Sequence, residues 1–128
     1  MADTEKITIN MSVVDLGKID LLVSEGFYSN RTDFIRTAIR NQLMRHDDDV
    51  KETCIRRSLT LGVNVLSRGG LEILNKKGEK ISALTVGQLI IDDNVSPELA
   101  LATIESIRVY GSFKANKAVK EALADRIH

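Results

Sequence analysis

The sequence predicts an α+β chain of two modules: one strand followed by two helices, and then a small α/β module. Three observations predict this. Residues 6–11 alternate polar and apolar side chains, as a half-buried strand does. The next two segments space their apolar residues three and four apart, as amphipathic helices do. After an acidic run at 47–49, glycines and short β-branched runs indicate an α/β module. We therefore expect modules at 1–48 and 58–128, joined by a linker at 49–57.

The predicted strand is the segment Lys6-Ile7-Thr8-Ile9-Asn10-Met11. In an extended chain its side chains alternate between two faces. The apolar face carries Ile7, Ile9 and Met11, and the polar face carries Lys6, Thr8 and Asn10. We expect the apolar face to be buried and the polar face to be exposed.

Two helices should follow this strand. The first is predicted from Ser12 to Glu25 and should end at Gly26, a residue that tolerates left-handed backbone geometry. Asn30 is predicted as the N-cap of the second helix, with the acidic Asp33 three residues further on. The apolar residues of the second helix share one face: Phe34, Ile35, Ala38, Ile39 and Leu43.

The predicted strand has no partner within the first 50 residues. A single strand cannot satisfy its backbone hydrogen bonds alone, and two short helices bury too little apolar surface to fold independently. We therefore expect two chains to pair their strands as an intermolecular antiparallel ribbon, covered by four helices per dimer. The polar face then lies on an exposed two-stranded ribbon, and such a ribbon fits the DNA major groove.

The second module is predicted to mix strands and helices. Strands are expected around 58–66, 81–92 and 107–110, and helices around 97–104 and 114–127. A further short apolar run, Leu71-Glu72-Ile73-Leu74, lies between the first two strands.

A weak internal repeat runs through this module. Ile81, Leu84 and Val86 correspond to Ile104, Ile107 and Val109 at an offset of 23, and Gly87 and Leu89 correspond to Gly111 and Phe113 at an offset of 24. Two interpretations stay open: a short strand-helix solenoid completed by self-association, or a compact α/β domain with accidental similarity. In either case we expect the module to serve in oligomerisation, or in binding a partner or an effector.

The composition argues against several function classes. The formal net charge is zero, which argues against a general polyanion binder. A single cysteine, Cys54, allows no internal disulfide and fits a reducing compartment, so we expect a cytoplasmic protein. No apolar run is long enough to span a membrane. Cys54, His46 and His128 form no recognisable metal pattern, and no catalytic motif is present. We expect no enzyme activity, no metal and no cofactor.

The predicted strand, the helix after it and the segment Gly26-Phe27-Tyr28-Ser29-Asn30-Arg31-Thr32-Asp33-Phe34-Ile35-Arg36 together resemble the ribbon-helix-helix (CopG-type) family of DNA-binding regulators. The resemblance covers about residues 5–45. It implies a homodimer that binds double-stranded DNA. By this resemblance, Lys6, Thr8 and Asn10 contact bases, and the start of the second helix contacts phosphate through Ser29, Asn30, Arg31 and Thr32.

Three functions remain open from the sequence. The first is a transcriptional regulator, expected to be a repressor, whose second module joins dimers into tetramers or larger assemblies. The second is the antitoxin of a toxin–antitoxin pair. The third is a self-assembling structural protein whose N-terminal module only dimerises. The sequence identifies no small-molecule effector.

Overall fold

The computed structural model describes residues 4–128, so residues 1–3 of the predicted first module lie outside the described residues. The chain divides into two compact units, Met1–Lys51 (unit 1) and Glu52–His128 (unit 2). The elements follow in this order: α1 (Val13–Ser24), α2 (Arg31–Arg45), α3 (Asp47–Arg56), β1 (Thr60–Leu66), α4 (Arg68–Lys77), β2 (Ile81–Ile91), α5 (Pro97–Thr103), β3 (Ile104–Lys114), α6 (Lys117–Ala122) and a 3₁₀ turn (Ala124–Arg126). The chain is therefore α+β.

Unit 1 contains both predicted helices: α2 begins at its predicted cap, and α1 begins after Ser12, the predicted first residue, which is its cap. The Ser12 hydroxyl accepts a hydrogen bond from the Asp15 N–H at 3.5 Å. The Asn30 side chain accepts one from the Asp33 N–H at 2.8 Å. The chain leaves α1 through Gly26, whose φ of +85° is left-handed and favours glycine. Local capping chemistry therefore determines the bounds of α1 and α2.

The predicted antiparallel ribbon was wrong. Residues 4–12, called the N-terminal arm below, belong to no helix or strand. Every strand pairing among residues 4–128 is parallel and lies in unit 2. The physical reason is that an alternating pattern alone supplies no neighbouring strand, and the arm has none in its own chain to take its backbone hydrogen bonds.

Helix α3 was not predicted. It includes the acidic run and most of the expected linker at 49–57. Asp47 forms an ion pair with Lys51 at 2.9 Å, and Asp49 contacts the His46 ring at 3.0 Å. Carboxylates in the first turn interact favourably with the helix dipole, and a spacing of four residues brings Asp47 beside Lys51. The acidic run therefore begins a helix.

Unit 2 is built on a three-stranded parallel sheet in the order β1-β2-β3. Parallel neighbours need a crossover connection, which α4 supplies between β1 and β2 and α5 supplies between β2 and β3. The three strands lie where the sequence predicted them, although β3 is longer than expected because it pairs with nearly all of β2. The apolar run at 71–74 lies in α4.

The core of unit 2 lies where helices pack against the sheet. Its buried residues come from the strands, from α4, α5 and α6, and from the turns after β2 and α6: Leu71, Ala83, Leu89, Ile91, Val95, Ala100, Ile104, Ile107, Val119 and Leu123. Four of the five buried residues on β2, Ala83, Thr85, Leu89 and Ile91, share one parity, which places them on one face of the sheet. Burial of each large aliphatic side chain contributes about 1.5–3 kcal/mol, so unit 2 carries its own core.

Three glycines lie side by side across the sheet. Gly62, Gly87 and Gly111 are register partners on β1, β2 and β3, and their φ values are +121°, +130° and +128°. A Cβ on Gly87 would overlap the carbonyl oxygen of Gly62, and a Cβ on Gly111 would overlap that of Gly87. Both the backbone conformation and the close approach therefore require glycine. This set is called the glycine ladder below.

The strand register tests the weak repeat in the sequence. Three of its five correspondences are true neighbours in the sheet: Ile81 with Ile104, Gly87 with Gly111, and Leu89 with Phe113. The register shifts by one residue just after Ile81, so paired residues are 23 apart at Ile81 and 24 apart from Ser82 onwards. The other two correspondences were wrong, since Leu84 pairs with Arg108 and Val86 pairs with Tyr110.

Candidate nucleic-acid interface

The N-terminal arm exposes its polar and apolar side chains alike. Lys6, Thr8 and Asn10, the residues assigned to base contacts, are all exposed. Ile7 and Ile9 between them are 74% and 62% exposed, so the apolar face predicted to be buried is open. The arm therefore offers an ammonium, a hydroxyl and a carboxamide at alternate positions, with no contact inside the chain that hides them.

Unit 1 leaves most of its apolar side chains uncovered. Within residues 4–51, only Ile19 is buried. A cavity of about 290 Å³, open to solvent, is lined by Met11, Asp15, Lys18, Ile19, Leu22 and Phe34. Further exposed apolar residues extend over the arm and both helices: Ile7, Ile9, Val13, Val14, Leu21, Phe27, Ile39, Leu43 and Met44. Exposed apolar surface of this extent marks an interaction surface.

The four residues assigned to phosphate contacts lie together at the start of α2. Asn30 is the N-cap, and Arg31 and Thr32 are the first two helical residues. Ser29 donates hydrogen bonds from its N–H and its hydroxyl to the same oxygen of Asp33, both at 3.1 Å. A helix N-terminus binds anions, and here the Asp33 carboxylate already occupies the donors of Ser29. Asp33 therefore competes with any phosphate for this residue.

Arg31 is held by a second carboxylate. Its Nε and NH2 groups donate to the two oxygens of Asp20 at 2.7 and 2.8 Å, which is a bidentate pair between α2 and α1. Hydrogen bonding by Arg31 lowers the pKa of Asp20 below its ordinary value, and the same bonds raise the pKa of Arg31. Both side chains are about half exposed, so the guanidinium stays accessible to a stronger anionic partner.

The sequence did not indicate these two acidic partners equally. Asp33 lies three residues after Asn30 and was expected near the cap, whereas its bonds to Ser29 were not foreseen. Asp20 lies 11 residues before Arg31, and no local spacing rule links positions that far apart. The pair depends on how α1 and α2 pack, which a one-dimensional pattern does not show.

A separate basic and aromatic cluster lies in unit 2. Arg57 donates a hydrogen bond to the Tyr110 hydroxyl at 2.7 Å. The guanidinium carbons of Arg57 and Arg108 lie 5.3 and 5.5 Å from the centre of the Tyr110 ring. The hydrogen bond from Arg57 is the largest cause that holds the pKa of Tyr110 below its ordinary value, with both positive charges adding to it. No sequence pattern indicated this cluster, because Arg57 and Tyr110 are 53 residues apart.

Residues 4–128 contain neither a metal-binding cluster nor a membrane-spanning helix. Among residues 4–128, no group of three or more His, Cys, Asp or Glu side chains is placed to hold a metal ion. Cys54 is a buried free thiol. No helix of the described residues has both the length and the apolar character that crossing a bilayer requires.

Comparison with known proteins identifies the family. The family model described as "Ribbon-Helix-Helix transcriptional regulator family" matches residues 2–120, nearly the whole chain. No curated protein and no solved structure matches the chain. The match includes the arm, α1 and α2, where the resemblance was found, and it continues through unit 2 to α6. This is a family of transcriptional regulators rather than of enzymes. The chain belongs to the ribbon-helix-helix transcriptional regulator family.

Proposed function

We propose that this protein is a homodimeric repressor that recognises a specific DNA sequence in the major groove through its N-terminal arm. Family membership makes it a DNA-binding transcriptional regulator. The observation that carries the finer proposal is the exposed series Lys6, Thr8 and Asn10, which stands immediately before two capped helices.

The three side chains have the chemistry that base recognition needs. Lys6 can donate to guanine, Asn10 can pair with both groups on the edge of adenine, and Thr8 can hydrogen-bond or contact a thymine methyl group. On an extended arm, alternate residues lie about 7 Å apart, which is close to the rise of two base pairs. Successive polar side chains would therefore reach every second base pair.

The start of α2 supplies the proposed phosphate contacts. Ser29, Asn30, Arg31 and Thr32 lie on one turn, where helix N–H groups and the helix dipole favour an anion. Arg31 would exchange Asp20 for a phosphate group. Because the Asp20–Arg31 pair is exposed to water, that exchange costs little.

The dimer is supported by the bare apolar surface of unit 1. One buried residue among positions 4–51 is far too little for a stable unit of this size. A second copy can cover the apolar side chains of the arm and of both helices, and the two copies then present two identical DNA-contacting surfaces.

We also assign a role to each part of the chain and a location to the protein. We assign residues 1–48 to DNA binding and dimerisation, 49–57 to the connection, and 58–128 to oligomerisation or to binding a partner or effector. We place the protein in the cytoplasm, where a regulator of this kind meets DNA and where Cys54 stays reduced.

A fluorescence-anisotropy titration tests the proposal. The labelled DNA comes from upstream of the protein's own gene, and an unrelated fragment of equal length serves for comparison, at several salt concentrations. We expect the Lys6→Ala/Thr8→Ala/Asn10→Ala variant to lose about 100-fold or more in affinity for the specific fragment, since each base contact contributes about 1–3 kcal/mol.

A matched variant in unit 2, Asn75→Ala/Lys76→Ala, removes similar side chains from helix α4 and should bind as the wild type does. Light scattering should show the same average mass for the arm variant and the wild type at each concentration, because the apolar residues are unchanged. Equal affinity of the wild type and the arm variant for the specific fragment would contradict the assignment of Lys6, Thr8 and Asn10.

A further inference from the structure

We propose that unit 2 stacks head to tail with unit 2 of a second copy, through the free edge of β1 and the free part of the β3 edge. The parallel sheet would then continue from chain to chain. The proposal rests on the edges of the sheet, the glycine ladder and the strand register, and it goes beyond the proposed DNA-binding function.

The edge of β1 lacks the features that normally protect an edge strand. Within residues 4–128, β1 pairs with β2 alone, so its other edge leaves backbone groups without a strand partner. Edge strands are usually protected by charged residues, especially lysine, or by proline. The segment Thr60–Leu66 contains none of these. Three of its four apolar residues, Leu61, Val63 and Val65, are exposed, by 57%, 58% and 49%.

The glycine ladder shows what kind of strand fits this edge. Gly87 and Gly111 each lack a Cβ where the carbonyl oxygen of the preceding strand's glycine approaches. Gly62 has the same left-handed φ, yet nothing lies within 4 Å of its Cβ position. A strand that repeats the ladder on this edge would place its own glycine carbonyl in that space. Gly111 of a second copy is the residue that continues the series.

Among residues 4–128, no strand pairs with the part of the opposite edge that this register requires. The chain's own C-terminus covers the first part of β3, where Ile127 bridges to Ile107 and the His128 N–H donates to the Ile107 carbonyl at 2.8 Å. Thr60 and Thr85 are partners, as are Thr85 and Val109, so a continued register places Thr60 beside Val109 of the second copy. The stretch 109–114 beyond the covered part matches residues 60–65 in length.

The same register identifies the side chains that would face each other. Val65, Ile90 and Lys114 form one row across the sheet, so Val65 would lie beside Lys114 of the second copy. Since Thr60–Leu66 carries no charge, the lysine meets no like charge there. An interface between two different surfaces does not close on itself unless the rotation forms a ring, so the assembly grows with concentration.

The test is multi-angle light scattering of the full chain over a range of concentrations, without DNA. We expect the average mass of the wild type to keep rising. Val65→Lys puts two lysines side by side at the proposed contact and removes apolar burial, so the concentration needed for growth should rise about tenfold or more. Val65 is half exposed, so the variant should keep its circular dichroism spectrum.

Charge reversal makes the test specific to the register. Val65→Lys combined with Lys114→Glu places opposite charges side by side and should restore growth, whereas Lys114→Glu alone should grow as the wild type does. Ile73→Lys adds the same charge at an exposed position of α4 and should also leave growth intact. A wild type of constant mass, growth unaffected by Val65→Lys, or a double variant that stays small would each overturn the proposal.

The light-scattering test of stacking is independent of the DNA-binding test. If stacking fails while the arm variant still loses DNA affinity, only the inference on unit 2 falls. If stacking is found while the arm variant binds DNA normally, only the proposed function falls.

Discussion

Unit 1 and unit 2 differ in how many of their apolar side chains they bury. Within residues 4–51, Ile19 alone is buried, whereas unit 2 closes ten buried residues into one cluster between its sheet and its helices. Unit 1 is built from local helical signals whose apolar faces stay open. Unit 2 is built from strands that are distant in sequence and satisfy each other's backbone groups.

From this difference we expect unit 1, rather than unit 2, to depend on a second chain for its stability. Unit 1 has the elements of a DNA-binding module but little core, so its stability should come from pairing with another copy. Unit 2 has a core of its own. A second copy would therefore contact unit 2 through a strand edge and would not be needed to complete its core. Each of the following predictions changes one unit and leaves the other as its reference.

The largest expected effect is on the glycine ladder. Gly111→Ala should lower the free energy of unfolding of unit 2 by roughly 4 kcal/mol or more, because the new Cβ overlaps the backbone of Gly87 and the φ is unfavourable. Denaturant unfolding followed by circular dichroism measures this. Both variants are compared in a Val65→Lys background, where no second copy fills the space beside Gly62. There Gly62→Ala is the matched control, with a similar φ and open space, and should cost only about 1–3 kcal/mol. Equal costs at both positions would mean that the close approach contributes nothing.

Dilution should separate the two units. In a Val65→Lys background, where stacking is removed, thermal unfolding should show a unit 1 transition that loses about 1.4 kcal/mol of stability for each tenfold dilution. The unit 2 transition should stay fixed. Leu123→Ala, at a fully buried position, should lower the unit 2 transition by about 2–5 kcal/mol at every concentration. A unit 1 transition that does not move on dilution would argue against dimerisation through unit 1.

Release of Arg31 should strengthen DNA binding. Asp20→Asn removes the bidentate partner of Arg31, so the guanidinium becomes available to a phosphate group. We expect about threefold tighter binding and a salt dependence steeper by about one ion, since one more phosphate is neutralised. The control is Asp15→Asn, the same substitution on the same helix. If both variants change affinity equally, the gain comes from net charge and not from Arg31.

The smallest effect concerns the titration of Tyr110. Because Arg57 and Arg108 hold its pKa in the folded protein below the ordinary 10.0, the unfolded chain binds more protons between the two values. Unit 2 should therefore gain a little stability as the pH rises through that window, and lose it as the pH falls through the folded-state pKa.

The absorbance of tyrosinate follows this titration directly. Arg57→Ala should move the Tyr110 step back towards 10.0, since the hydrogen bond from Arg57 is the largest cause of the shift. Tyr110→Phe should abolish that step and so identify it. An unchanged titration in Arg57→Ala would show that the hydrogen bond is not maintained in solution.

The parts of the fold that could be predicted from sequence are those with local causes. The cap at Asn30 and the left-handed turn at Gly26 depend on residues within four positions, and both were predicted. The helix start at Ser12 was also predicted, although its role as a cap was not. The three strands of unit 2 were also located, because β-branched runs bounded by turn residues are local signals. The start of α5 has a local cause of the same kind, since Ser96 caps it and Pro97 is its first residue.

The remaining features depend on residues that are distant in sequence. The arm carries the alternation of a strand but has no neighbouring strand among residues 4–128, and alternation cannot reveal that. The pairing of Asp20 with Arg31 and that of Arg57 with Tyr110 depend on tertiary packing. The sequence repeat indicated two of the three glycines of the ladder, Gly87 and Gly111. Gly62 was identified only from the strand register.

The most direct test of the account is amide hydrogen exchange of the full chain, measured by mass spectrometry with and without the DNA fragment used for the titration. The account predicts slower exchange on DNA binding in the arm, residues 4–12, and at the start of α2, residues 29–34, with no change in the sheet of unit 2. Protection confined to unit 2, with none in the arm, would contradict it.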